Sequence, residues 1–236
     1  MAASILFFRK TPPFHGDIVR EREKLLLGFL RNLKEVHVAI GYSLYDVPES
    51  DKFAGHVHRL TDPVLILSWQ SVRATQILVR KSGAKINWEQ SVFVDLLETE
   101  NDSVMRLMRE FSDRFSETAG GENVMVEMSR PPVKRWYPII DENVCVSCLE
   151  CVNYCLFGVY TIDRNNRPLV TKPDSCRDGC PACSRVCPAG AIIFPEYDDP
   201  VISGRATLKN DIPSDQDRSD KPKPGDLMDQ LDDFSL

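Results

Sequence analysis

Eight cysteines fall between positions 145 and 187, and the rest of this 236-residue chain contains none. Cys145, Cys148, Cys151 and Cys155 are spaced C-x2-C-x2-C-x3-C. Cys176, Cys180, Cys183 and Cys187 are spaced C-x3-C-x2-C-x3-C-P, closing on Pro188. A disulfide framework belongs to small, exported, cysteine-rich chains. Here the only apolar N-terminal stretch is Ile5-Leu6-Phe7-Phe8 before Arg9 and Lys10, which is shorter than a signal-peptide core. Structural zinc favours two C-x2-C knuckles set well apart, and a 2-2-3 run crowds one loop more than a tetrahedral ion requires. The spacing favours two iron–sulfur clusters.

The spacing has a geometric reason. Two residues between thiolates let one short loop wrap a cube and offer three sulfurs to three iron corners. The fourth cysteine, three residues further on, turns away from its own loop and ligates the other cluster. By that rule the first cluster takes Cys145, Cys148, Cys151 and Cys187, and the second takes Cys155, Cys176, Cys180 and Cys183. Apolar neighbours (Val144, Leu149, Val152, Leu156, Phe157, Val186) are expected to shield both sites from water.

Residues 136–197 resemble a bacterial-type dicluster ferredoxin with two 4Fe-4S clusters. The resemblance rests on the two four-cysteine runs, Pro188 and the pair Ala191-Ile192. It implies an α+β fold with an internal pseudo-repeat, and single-electron transfer between redox protein partners. Two positions depart from the family's pattern. Leu156 follows Cys155 where Pro is usual, and the second run opens Cys176-Arg177-Asp178-Gly179-Cys180, one residue longer than usual. Gly179 can adopt the positive φ that an extra residue demands. Relatives with altered motifs hold a three-iron cluster, so four or three irons stay open for the second site.

The expected architecture is an α/β domain with a Rossmann-like crossover sheet over residues 1–130 and a linker at 131–135. A ferredoxin-like domain then covers 136–204, and an acidic disordered tail covers 205–236. In the first part, strands are expected at 4–8, 36–40, 64–68 and 123–128. Helices are expected at 17–34 (capped by Asp17), 50–60, 71–81 and from Asp102 or Ser103 to Phe115. Alternating strands and helices imply a sheet with crossover helices. In the second part, 136–141 and 192–194 read as outer strands, and 159–162 and 168–171 as a hairpin around 163–167.

Ligands of such sheets bind beyond the strands' carboxyl ends, which draws attention to 41–46 and 68–73. Arg73 in a first helical turn is a candidate anion holder; the competing reading is that it is solvated while Tyr42, Tyr45 and Trp69 cover the sheet edge. No G-x-G-x-x-G or Walker motif occurs. His37 reads as a core residue, and His15 in a His-Gly loop faintly resembles the chelatases of tetrapyrrole synthesis. In the tail, Leu227, Leu231 and Phe234 are spaced for a short amphipathic docking helix, against the alternative of a solvated acidic end.

The net charge of −6 disfavours a nucleic-acid partner. No apolar run approaches a membrane span, and the chain is expected to be cytoplasmic. The leading expectation is an electron carrier. The alternatives are a redox enzyme, or an iron–sulfur subunit of a larger complex, whose α/β domain binds substrate or partner.

Overall fold

The computed structural model describes residues 4–12, 16–33, 36–47, 51–116, 125–128 and 130–206. The candidate tail helix and His15 lie outside the described residues. Strands β1 (Ser4–Arg9), β2 (His37–Tyr42), β3 (Val64–Ser68), β4 (Val92–Asp95) and β5 (Met125–Glu127) form one parallel sheet in the order β4-β3-β1-β2-β5. The central strands are buried on both faces, which is why they read as unbroken apolar runs. Alternate residues face opposite sides. Ile5, Phe7, Ile40 and Leu65 share a core with helices α1 (Asp17–Arg31) and α4 (Asn101–Ser116). Leu6, Phe8, Ala39 and Ile66 share another with α2 (Lys52–His58) and α3 (Val72–Lys81). Gly41 lets α2 approach, because the Phe53 ring occupies the place a Cβ would take.

Several details correct the sequence reading. Strand β4 is an addition to the expected strands. It is only four residues long and lies at the sheet edge, with Val92 exposed. Gly16, not Asp17, is the N-cap of α1, and Asp17 pairs with Arg20 one turn on. Ile18, at the start of α1, is 86% exposed, whereas Glu23 is buried beside Leu26, Leu27 and Leu30. The Glu23 carboxylate accepts from the Lys10 backbone N–H and the Trp69 indole, at 2.8 and 2.9 Å, which offsets its desolvation. His37 is half-buried at the start of β2 rather than in the core.

The second part is built from two antiparallel pairs, β6 (Ile139–Ile140) with β9 (Ile192–Ile193), and β7 (Tyr160–Ile162) with β8 (Pro168–Val170). Short helices α5 (Glu150–Tyr154) and α6 (Ala182–Arg185) follow the cysteine loops. Asn166 turns the hairpin with φ 60°. A pseudo-repeat is visible in the backbone. Gly158 and Gly190, each three residues past a fourth cysteine, both have positive φ and both precede a fully buried residue, Val159 and Ala191.

The two parts share a core in which Ile139 and Ile193 pack on Ala74, Ile77 and Leu78 of α3. Beyond β9 the chain returns to the carboxyl ends of the parallel strands. Glu196 accepts from Gln70, and the Ser203 carbonyl accepts from the Ser71 hydroxyl. Arg205, expected at the start of a disordered tail, instead pairs with Asp95 and donates to the Trp69 carbonyl. Tyr42, Tyr45 and Trp69 are buried there. The crevice in which a ligand would sit is thus lined by contacts of the chain with itself.

Candidate metal centre

All eight cysteines are free thiols. Cys151 and Cys183 are buried, Cys145, Cys155, Cys176, Cys180 and Cys187 are half-buried, and Cys148 is exposed. The first loop bends sharply around Cys148. Ser147 and Leu149 both take positive φ, 54° and 61°, without being glycine. Such left-handed residues cost conformational energy and cluster at functional sites. Alternating backbone hands also turn successive N–H groups into a concavity, as at many iron–sulfur sites. In the second loop Gly179 takes φ 73° immediately before Cys180, as Ser147 does before Cys148.

The thiols fall into neighbourhoods. Burial pushes the Cys151 thiol up to about 12, and the surrounding Cys187, Cys183 and Cys145 thiols add to the shift. Burial likewise pushes Cys176 up to about 12, with Cys183, Cys180 and Cys155 as its sulfur neighbours. Cys183 rises to about 11 for the same reason, beside Cys155 and Cys180. A cavity of about 470 Å³ is lined by Cys155, Cys176, Cys180 and Cys183 together. Crowded, desolvated thiols resist ionisation until a cation shares their space, and a coordinating metal deprotonates them outright. The donor chemistry therefore fits a soft metal group bound by thiolates. Among the described residues no three His, Cys, Asp or Glu side chains converge as a single ion would need.

The surrounding shell is uneven. The Ala191 backbone N–H donates to Cys187 Sγ at 3.3 Å. The Tyr160 hydroxyl is buried, and its strongest ionisable neighbour is the Cys183 thiol. The Trp136 indole donates to the Cys180 carbonyl at 3.2 Å, and Arg135 pairs with Asp174 just ahead of Cys176. Of the residues expected to shield the site, Val152 packs into the thiol core. Leu156 instead stands 91% exposed, and Val144 and Phe157 are also exposed. Arg73, the candidate anion holder, is not free in solvent, and the anion it meets is a carboxylate of its own chain. It bonds to Asp141 and to the Gly190 carbonyl.

With this geometry in hand, the chain can be set beside known proteins. It contains a ferredoxin-like segment. A stretch of 62 residues is 45% identical to an uncharacterized ferredoxin of Methanocaldococcus jannaschii, over 26% of this chain and 42% of that protein. A stretch of 85 residues is 29% identical to the B subunit of polysulfide reductase from Wolinella succinogenes, over 30% of this chain and 42% of that protein. The matches thus span less than half the length of these curated relatives. No family model matches the chain. No described helix is long and apolar enough to cross a membrane.

Proposed function

We propose that this chain carries single electrons between redox protein partners through two 4Fe-4S clusters held by residues 136–204. Cys145, Cys148, Cys151 and Cys187 hold the first, and Cys155, Cys176, Cys180 and Cys183 hold the second. The observation that carries the reading is the cavity lined jointly by Cys155 of the first run and Cys176, Cys180 and Cys183 of the second. When bound, such clusters accept and release one electron with little rearrangement of their ligands. The protein's part is to ligate, to exclude water and to present a surface. Cys151, Cys183, Val159 and Phe194 bury the inner side of the thiol core, while Cys148 and Leu156 reach the outside. Electrons would enter or leave at those exposed edges.

A second reading, an iron–sulfur subunit within a larger oxidoreductase, is favoured by the match to one subunit of a reductase. In either case the α/β part, residues 1–130, serves as a scaffold for the metal module. Anaerobic purification followed by iron and sulfide analysis tests the proposal. Two four-iron cubes require about eight iron and eight sulfide per chain. A stable preparation with stoichiometric zinc and no sulfide would overturn it. About seven irons would assign a three-iron cluster to one site, with the lengthened second loop as the suspect. A monomer that reduces partners by itself favours the carrier, and one that functions only within a complex favours the subunit.

A further inference from the structure

Arg73 is the second residue of α3, on the α/β part, yet its guanidinium works on the cysteine module. Nε donates to Asp141 Oδ2 at 2.7 Å, and Nη2 donates to the Gly190 carbonyl at 3.0 Å. The pair is sheltered, with side-chain exposures of 20% for Arg73 and 9% for Asp141. Each contact lands on a segment carrying a first-site thiol. The Asp141 carbonyl accepts from the Cys145 N–H at 3.1 Å, and the Asp141 carboxylate accepts from the Asn143 N–H. Gly190 lies three residues beyond Cys187. Its neighbour Ala191 donates its N–H to Cys187 Sγ and accepts at its carbonyl from the Asp141 N–H. One guanidinium therefore clamps together the two segments that carry Cys145 and Cys187. The ion pair on the second loop, Arg135 with Asp174, comes from the connecting segment instead.

We infer that Arg73 is a positioning residue through which the α/β part steadies the first metal site, and that the charge balance of the Arg73–Asp141 pair keeps that site's reduction potential from shifting in either direction. The inference rests on the proposed ligation of the first cluster. Reduction adds negative charge at that cluster. A nearby carboxylate opposes it and a nearby guanidinium favours it, and in a partly buried setting water screens neither completely. The intact pair nearly cancels. Removing one partner leaves the other uncompensated, so the two single variants must act in opposite directions. A loosened structure would not produce opposite signs.

The test uses the anaerobically purified full chain, with potentials read by redox titration monitored by electron paramagnetic resonance. The signal altered in Cys145→Ser identifies the first site. Arg73→Gln is expected to lower the first site's potential and to speed its loss of iron to a chelator. Asp141→Asn is expected to raise that potential. The double variant is expected to return toward the starting value, and Arg73→Lys to fall nearer the parent than Arg73→Gln does. The second site's potential is expected to stay put throughout. Single variants that shift the first site in the same direction, or not at all, would overturn the inference, as would equal shifts at both sites. A parent protein without two clusters would instead overturn the proposed function, a result visible before any variant is made.

Discussion

Tyr45 and Tyr137 bind one another both by stacking and by hydrogen bonds. Their rings stack with centroids 4.3 Å apart and planes 17° from parallel. The Tyr45 hydroxyl donates to the Tyr137 carbonyl at 2.6 Å and accepts from the Tyr137 N–H at 2.7 Å, while the Tyr137 hydroxyl donates to the Tyr45 carbonyl at 2.8 Å. This is the seam between the sheet and the cysteine module. Tyr45→Phe keeps the stack but strands a sheltered carbonyl and a sheltered N–H. The expected cost is about 1–3 kcal/mol, read as a lower denaturation midpoint of the full chain. An unchanged midpoint would mean that water takes over both bonds.

Crossed ligation predicts how cysteine variants group. Cys187→Ala should perturb the same spectroscopic signal as Cys145→Ala and spare the one disturbed by Cys183→Ala. If Cys187→Ala instead behaves like Cys183→Ala, each run binds its own cluster.

The buried Tyr160 hydroxyl lies against Cys183 and is placed to donate to that sulfur. Hydrogen bonds to cluster sulfurs raise a reduction potential. Tyr160→Phe should therefore lower the second site's potential. A differential hydrogen-bond strength of about 1 kcal/mol corresponds to roughly 40 mV for one electron. Redox titration of the variant checks this, and a shift confined to the first site would contradict it.

Burial raises the Asp46 carboxyl above the ordinary carboxylate range, although the Arg135 N–H and the Thr11 hydroxyl both donate to it. Asp95 is raised likewise by burial, with the Leu97 N–H and Arg205 opposing the rise. Between the unfolded value of about 3.9 and the higher folded value, the native state holds more protons than the unfolded one. Stability must then fall as pH rises through that window. Asp46→Asn should remove part of this fall, and the part due to Asp95 should remain. Denaturation midpoints across about pH 4–7 measure it, and an unaltered slope in Asp46→Asn would contradict it.

What the sequence discloses depends on how local each signal is. Strands β1 to β3 are legible because they are long apolar runs, and α3 because Ser71 caps it and Gly83 ends it with φ 73°. The hairpin at 160–170 is legible from its turn residues. Strand β4 is not, because four residues with one exposed valine carry too little pattern. Glu23 escapes a sequence reading although it falls on the same helical stripe as Leu26, Leu27 and Leu30. A glutamate on that stripe is ordinarily taken for solvent, and the indole that holds it lies 46 residues away. Arg73 is obscured for the same reason, since its partners are 68 and 117 residues distant. The cysteines stand out by spacing alone, but spacing says nothing of Leu156 facing solvent.

The return of the chain to the sheet has a consequence for how the metal module is first filled. Tyr137 on one side and Arg205 on the other fasten the cysteine-bearing stretch to a single sheet, by Tyr45 and Asp95. Before any iron arrives, that stretch is a closed loop rather than a free arm. Gathering distant thiols costs entropy that grows with the logarithm of the chain between them, and part of that cost is already met by the sheet when the fold forms. Cys145 and Cys187, the most widely separated members of one proposed ligand set, lie between the two fastened ends. On the proposed ligation, maturation would begin with the far-apart ligands already brought near, and the remaining search would be confined to the short loops that carry the others.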